Sequence, residues 1–305
     1  MSSTCCRFGT IRRTKKNGPY NESVRPQFWL WPNLLSLDAP LVAVLWQTLF
    51  LRCLGAPVRW LPALLLFLTV WLIYVADRLL DARNGAVTTP RHQFYRRSFR
   101  WVLTAWMIVL ASTAGMVFLG FANPLLLRGG AMLAAVFLYL ASVHCLPARA
   151  GWIGLKEAMV AVLFALGTSL PAWGQIRTAH DALTVVLFSM LCWLNCIAIE
   201  QWESDTGRLG IIAREEKRLP GRSVVAQSKK DGFARLPVAP IAGIIAVAGM
   251  AVLHHDRPIL AGAESASLFA LVLLDGLHHK LSRDALRVLA DVALLTPLVF
   301  LPVVR

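Results

Sequence analysis

Two short stretches of the sequence place acidic side chains at helical spacing beside strongly apolar segments. In WLIYVADRLLDAR, Tyr74, Asp77 and Asp81 recur at intervals of three and four residues, so a helix presents them as one stripe with two carboxylates a turn apart. Mg²⁺ prefers oxygen ligands and commonly bridges one or two carboxylates to substrate phosphates. The stripe predicts a site for Mg²⁺ and a phosphate-bearing substrate. The plainer alternative is an interfacial ion pair between Asp81 and Arg78.

The second acidic stretch, CWLNCIAIEQWESD, closes another apolar segment. Glu200 and Glu203 lie one turn apart, Asp205 follows them, and Asn195 lies more than a turn earlier. Four predicted spans separate this stretch from the first one. Because that number is even, both acidic stretches reach the same face of the membrane.

The segments that carry these acids are apolar enough to cross a membrane. Hydrophobic residues make up 57% of the 305 residues and charged residues 16%. Charge-free runs such as 60–76, 101–127 and 182–199 approach or exceed the roughly 20 residues that a transmembrane helix needs. This composition excludes an ordinary soluble domain, a disordered chain and a disulfide-rich secreted scaffold. The predicted fold class is all-α, a polytopic integral membrane protein with about nine transmembrane helices around a central cavity.

The distribution of basic residues predicts the topology. We place the spans at about 33–52, 60–80, 101–122, 126–147, 155–174, 182–201, 236–253, 258–276 and 286–304. Most of the 31 Lys and Arg residues fall in the tail 1–30 and in alternate connections, which the positive-inside rule assigns to the cytoplasm. The exceptions are Arg52, Arg59, Arg128, Arg177, Arg257 and Arg305.

The chain is therefore expected to be a multi-pass protein of the cell membrane. Residues 1–30 form a basic cytoplasmic N-terminal tail, and residues 31–305 form the transmembrane domain, with cytoplasmic loops at about 82–100 and 202–235. The C-terminus falls on the outer side. Because orientation in a membrane explains the net charge of +14, we expect membrane lipid and no nucleic acid as a partner.

Further ionisable groups lie near the ends of apolar segments. A charged side chain at the bilayer centre costs roughly 2.5 kcal/mol or more, so such positions usually report function. Asp38 lies early in the first predicted span and Asp291 lies early in the ninth, both toward the predicted cytoplasmic face. Together with Asn33 and Asn195 they are predicted to line the cavity.

The chain resembles the UbiA superfamily of intramembrane prenyltransferases, which have nine helices and two aspartate-rich motifs. The family's NDxxDxxxD motif corresponds to IYVADRLLD, in which Asp77 and Asp81 match the second and third aspartates. Its second motif, DxxxD, corresponds to EQWESD, where Glu203 and Asp205 fit best. The pair Lys156 and Glu157 at the start of LKEAMVAVLFALG is also similar to that family, as is the segment RPQFWLWPNLLSLDAP. Ile73, Tyr74 and Gln201 replace acidic or amide residues of the family motifs.

The resemblance implies Mg²⁺-dependent transfer of an isoprenoid chain from a prenyl diphosphate to a lipid or aromatic acceptor at the membrane. It implies that Asp77, Asp81, Glu203 and Asp205 bind Mg²⁺ and diphosphate, with Glu200 as a further catalytic carboxylate. Arg78, Arg83 and Lys156 are expected to bind phosphate oxygens, and Tyr74 to contact the substrate.

Two rival functions are weighed against prenyl transfer. CDP-alcohol phosphatidyltransferases also use aspartates at the membrane edge, but DRLLDARNG lacks the DG start of their signature. The alternative that stays open is a membrane transporter, or a catalytically silent lipid-binding relative, in which Asp38, Asp77 and Asp291 relay protons or hold a cation. The sequence does not distinguish oligomeric states.

Overall fold

The computed structural model describes residues 31–84, 90–120, 123–145, 155–218 and 236–304. Within these ranges the side chains of 81–84, 90–93, 120, 123–126, 143–145 and 205–218 are not described. The predicted tail 1–30 lies outside the described residues. Over the described ranges the chain is helical and contains no strand, so the all-α prediction is confirmed.

Twelve α-helices make up the described fold. They are α1 (Trp31–Leu34), α2 (Asp38–Cys53), α3 (Trp60–Asn84), α4 (Pro90–Arg97), α5 (Phe99–Gly120), α6 (Asn123–Cys145), α7 (Leu155–Ser169), α8 (Ala179–Arg218), α9 (Val238–Leu253), α10 (Pro258–Leu277), α11 (Arg283–Ala293) and α12 (Pro297–Phe300). Short 3₁₀ helices, Leu170–Gln175 and His278–Lys280, extend α7 and α10.

Five of the described helices are long and apolar enough to cross a membrane. The segments are Trp60–Leu80, Phe99–Leu119, Leu155–Gln175, Ala179–Ser204 and Pro258–Lys280. Two further apolar helices are shorter, Leu127–Ser142 and Val238–Leu253. These lengths indicate an integral membrane protein with several spans. The total of nine spans and the central cavity stay predictions.

Four predicted segments differ from the helices that form. The first predicted span, 33–52, is divided at residues 35–37 between α1 and α2, and α4 lies inside the segment 82–100 that was expected to be a loop. The helix α8 continues beyond its apolar part to Arg218, into the second expected loop. The ninth predicted span is interrupted between α11 and α12 at residues 294–296. Pro297 has no backbone N–H to donate to the preceding turn, so the chain begins a new helix there.

The outer faces of α5 and α6 carry exposed apolar side chains, as a lipid-facing surface requires. Trp101 is 81% exposed, and Phe118, Leu119, Leu127 and Leu138 are exposed to a similar degree. In water such a surface would drive association, whereas lipid tails are its natural solvent.

In contrast to the exposed α5 and α6, α2 lies in the centre of the bundle. It packs against α3, α7, α10, α11 and α12. The Trp46 ring stacks on Phe188 of α8 with centroids 4.4 Å apart, and its indole N–H donates to the Leu294 carbonyl at 2.9 Å. Asp38 is the first residue of this central helix. Its carboxyl group therefore lies at the end of the bundle where α3, α7 and α8 also carry acidic residues.

Candidate functional site

Five helices bring polar side chains together at one end of the bundle. Each of these side chains lies within electrostatic range of other members of the group. We call them the polar cluster: Asp38, Tyr74, Arg78, Glu157, Cys196, Glu200 and Asp291. They come from α2, α3, α7, α8 and α11. Residues up to 253 positions apart in the chain thus meet in one place.

A pair of carboxyl groups joins α2 to α11 in the polar cluster. The carboxyl groups of Asp38 and Asp291 lie close enough to interact, so two acids from different helices face each other here. Asp38 also accepts a hydrogen bond from the Asn33 amide at 2.6 Å, and the Arg78 guanidinium lies close enough to Asp291 to offset part of its charge.

A second pair of carboxyl groups joins α7 to α8. The carboxyl groups of Glu157 and Glu200 lie close enough to interact, and the Lys156 ammonium interacts electrostatically with Glu200. Cys196 lies one turn before Glu200 on α8 and is within electrostatic reach of both pairs. The two pairs are therefore neighbours and form one acidic lining with a cation beside each pair.

The orientation of Arg78 is fixed by a residue in the turn between α1 and α2. The Arg78 Nε donates to the Ser36 hydroxyl at 2.7 Å, and that hydroxyl lies 3.0 Å from the Tyr95 hydroxyl of α4. Ser36 is fully buried and adopts a positive φ of 54°, a left-handed conformation that is uncommon outside glycine. Such a conformation persists where surrounding contacts determine it, as the contacts with Arg78 and Tyr95 do here.

The carboxylate of Glu203, a predicted metal ligand, is occupied by a cation of the chain itself. It forms an ion pair with Arg287 of α11. One residue earlier, the Trp202 indole N–H donates to the Asp275 carboxylate at 3.0 Å. These contacts tie the exit of α8 to α10 and α11, which gives Glu203 a structural partner in addition to any metal.

The described structure brings together part of the predicted site. Asp38, Tyr74, Arg78, Glu200 and Asp291 belong to the polar cluster, and Asn33 and Lys156 contact or flank it. Asn195 is buried on α8, next in sequence to Cys196. Asp77 is half-buried one residue before Arg78. The side chains of Asp81, Arg83 and Asp205 lie outside the described residues.

Sequence reasoning missed several residues of this end of the bundle. Ser36, Tyr95 and Arg287 carry no pattern that marks them, because their partners are distant in sequence. Glu157 was noted only for its family likeness, yet it pairs with Glu200. The position of Cys196 beside Glu200 could have been predicted, since Cys196 lies four residues before Glu200 on the same face of a helix.

The donors of the polar cluster suit Mg²⁺ in type, because they are carboxylate oxygens that come in pairs beside cations. Mg²⁺ usually takes one or two carboxylates together with substrate phosphates and does not require a cage of protein ligands. Among the described side chains, no group of three or more His, Cys, Asp and Glu could hold a metal ion by itself.

Comparison with models of known protein families, with curated proteins and with solved structures finds no match to this chain.

Proposed function

We propose that this chain is a membrane prenyltransferase that moves an isoprenoid chain from a prenyl diphosphate to a lipid or aromatic acceptor. The observation that carries the proposal is the polar cluster, in which five helices bring carboxyl groups and cations to one end of an apolar bundle. A prenyl diphosphate has the complementary shape, with a charged head and a long apolar chain.

The head of the substrate is bound by cations that the fold already holds in position. Arg78, fixed by Ser36, and Lys156, beside Glu200, are placed to donate charge-assisted hydrogen bonds to diphosphate oxygens. Asp77 and Asp81 of α3 and Glu203 and Asp205 of α8 are the proposed ligands of Mg²⁺, with Glu200 beside them. When bound, Mg²⁺ supplies positive charge next to the leaving diphosphate.

The chain of the substrate is held by aromatic and apolar side chains of the interior. Trp71 and Tyr74 lie on α3, and Trp193 lies on α8. The Trp71 indole N–H donates to the Leu35 carbonyl at 3.0 Å, so its ring is oriented by the turn before α2. The apolar faces of these rings shield the allylic cation from water and leave capture to the acceptor.

The reaction breaks the C–O bond between the prenyl carbon and the diphosphate, and the bonding electrons leave with the diphosphate oxygen. Arg78 and Lys156 stabilise the charge that develops there. The prenyl carbon forms a new bond to the acceptor, and the proton that the acceptor loses passes to a carboxylate of the polar cluster.

The orientation proposed for the protein follows from its basic segments. With the tail 1–30 in the cytoplasm and the C-terminus outside, the polar cluster faces the cytoplasm, where soluble diphosphates are made available to the membrane.

A second candidate function is a membrane transporter, or a silent lipid-binding relative of the same fold. The paired carboxyl groups favour it, because Asp38 with Asp291 and Glu157 with Glu200 each bring two acids from different helices together, and intramembrane acids commonly form the proton relays of carriers. The two functions differ in their response to diphosphate.

Thermal unfolding in detergent tests the proposal. Pyrophosphate with Mg²⁺ is expected to stabilise the protein, by about 2.7 kcal/mol at a hundredfold excess over its dissociation constant. Lys156→Gln, at an exposed position, is expected to reduce the effect, whereas Arg100→Gln, at an exposed position on α5, serves as the matched control. A proton-coupled carrier is expected to show no stabilisation by pyrophosphate and Mg²⁺. That result would contradict prenyl transfer and favour the second candidate.

A further inference from the structure

Four buried oxygen atoms have no hydrogen-bond partner among the described residues and lie on four different helices. They are Gln47 Oε1 of α2, Thr168 Oγ1 of α7, Asn195 Oδ1 of α8 and Glu264 Oε1 of α10. The four residues are 2%, 1%, 6% and 3% exposed, so bulk water does not reach them directly. Leaving a buried polar atom without a partner costs about 1–3 kcal/mol, and native proteins usually satisfy such atoms with ordered water or an ion.

The helices that carry these atoms pack on one another. α7 and α10 both pack on α8, and α2 packs on both α7 and α10. The four oxygens therefore lie on helices that are in direct contact with one another.

One face of α8 connects the polar cluster to Glu264. Cys196 interacts electrostatically with Glu200 and Asp291, and Cys192, one turn further along, interacts with both Cys196 and Glu264. Residues four apart lie on the same face of a helix. The stripe that starts at Glu200 thus ends beside the buried acid of α10.

The other oxygens lie at comparable depths. At a rise of 1.5 Å per residue, Cys192 lies about 12 Å along α8 from Glu200, and Gln47 lies about 13 Å along α2 from Asp38. Thr168 lies about 16 Å along α7 from Glu157, and Asn195 lies only about 7 Å from Glu200. Asn195 is thus an intermediate position between the polar cluster and a deeper group formed by Gln47, Thr168 and Glu264.

We propose that these oxygens bind a file of water molecules that joins the polar cluster to Glu264 and lets protons move between them. Water suits the site because it donates hydrogen bonds to the four oxygens and accepts one from the Trp193 indole N–H of α8, which also has no partner among the described residues. Three of the four oxygens belong to neutral groups. Buried waters typically make about three hydrogen bonds to such groups. The file does not depend on prenyl transfer and extends beyond the diphosphate site.

The chemistry of the file is proton exchange without net charge. The Glu264 carboxyl releases its proton to a neighbouring water molecule, and the carboxylate accepts another proton from the file. In D₂O the same steps replace the carboxyl O–H with O–D and release the original proton to solvent as HOD. The exchange therefore reports whether water reaches Glu264.

Infrared spectroscopy of the detergent-purified full chain in H₂O and D₂O tests the proposal. The carbonyl stretch of the protonated Glu264 carboxyl is identified as the band that Glu264→Gln removes. We expect this band to shift within minutes of transfer to D₂O. Asn195→Leu removes the side chain that binds water between the polar cluster and Glu264. We expect the band shift to be slower by about fivefold or more, because the file loses one hydrogen-bonding group.

Thr113→Val is the matched control. Thr113 is also buried, but its hydroxyl donates to the Val109 carbonyl at 2.7 Å, so its loss is expected to leave the exchange rate unchanged. A Glu264 band that does not shift overnight would overturn the proposal, as would the absence of any carboxyl band that Glu264→Gln removes. An Asn195→Leu protein that exchanges at the original rate would overturn the proposed route.

Thermal unfolding of Asn195→Leu gives an independent readout. If Asn195 binds water of the file, replacing it with leucine breaks hydrogen bonds and lowers the melting temperature. If the Asn195 oxygen binds no water, the substitution removes an unsatisfied polar group and raises the melting temperature. That result would contradict the proposal.

Discussion

Replacing Arg257 with glutamine removes the cation that joins three helices at the end of the bundle opposite the polar cluster. Arg257 lies in the turn between α9 and α10. Its Nε and Nη2 donate to Asp181 Oδ1 at 3.0 and 2.7 Å, and its Nη1 donates to the Cys53 carbonyl at 3.1 Å. α2, α8 and α10 are thus connected through one guanidinium.

The expected loss follows from the burial of the two partners. The Asp181 side chain is 2% exposed and that of Arg257 is 29% exposed. Removing one partner of a buried ion pair costs about 3–5 kcal/mol, because the other charge is left unpaired. Asp181 keeps two hydrogen bonds from the backbone N–H groups of Arg177 and Thr178, so we expect the lower end, about 3 kcal/mol.

The assay is reversible unfolding by SDS titration in mixed micelles, which gives the free energy of unfolding for each variant. Arg177→Gln is the matched control, since the Arg177 side chain is exposed and only its backbone contacts Asp181; its effect is expected to stay within about 0.5 kcal/mol. A loss below about 1 kcal/mol in Arg257→Gln would refute the reasoning, because it would place the pair in the class of solvent-exposed ion pairs.

Three further variants test packing and positioning. Gly262→Ala is expected to destabilise the protein by about 1–3 kcal/mol, because the added Cβ would lie 2.9 Å from the Phe300 ring, and SDS unfolding measures this loss. Trp46→Phe is expected to cost about 2 kcal/mol in the same assay, because it removes the hydrogen bond to Leu294 and leaves a small cavity. Ser36→Ala is expected to weaken binding of pyrophosphate about tenfold in a calorimetric titration, because it releases the arginine that the hydroxyl holds.

Matched controls separate these effects from general loss of stability. Gly243→Ala meets no atom within 4 Å, so it is expected to leave stability unchanged or raise it by up to about 1 kcal/mol. Ser112→Ala removes a hydroxyl that bonds only its own helix, and its pyrophosphate affinity is expected to match that of the parent protein. Equal losses in Gly262→Ala and Gly243→Ala would contradict the packing argument, and equal losses in Ser36→Ala and Ser112→Ala would contradict the positioning argument.

The sequence predicted the helices well where apolar length alone decides them. The predicted segments 60–80, 101–122 and 258–276 correspond to α3, α5 and α10. It did not predict that α8 continues to Arg218, because the end of an apolar run was taken as the end of the helix. Residues such as Glu, Lys and Arg support a helix as well as leucine does, so a helix continues into polar sequence until a breaker stops it.

The same contrast applies to the site. Helical spacing placed Asp77 with Tyr74 and Glu200 with Glu203, because such neighbours are fixed by local geometry. Asp38 pairs with Asp291, and Glu203 pairs with Arg287. These pairs depend on how helices that are distant in sequence pack, and the spacing of residues along the chain carries no information about that packing. The positive φ at Ser36 is likewise determined by its tertiary partners, and a serine at this position does not predict it.

Calorimetric titration of the detergent-purified protein with a non-hydrolysable prenyl diphosphate analogue, with and without Mg²⁺, tests the proposed diphosphate site most directly. Folded Asp77→Asn and Asp81→Asn proteins are titrated beside the parent. We expect saturable, Mg²⁺-dependent binding that both variants lose, since each removes a proposed ligand of the ion. Absent binding, or binding that is indifferent to Mg²⁺ and to both aspartates, would contradict prenyl transfer and favour the transporter or silent relative.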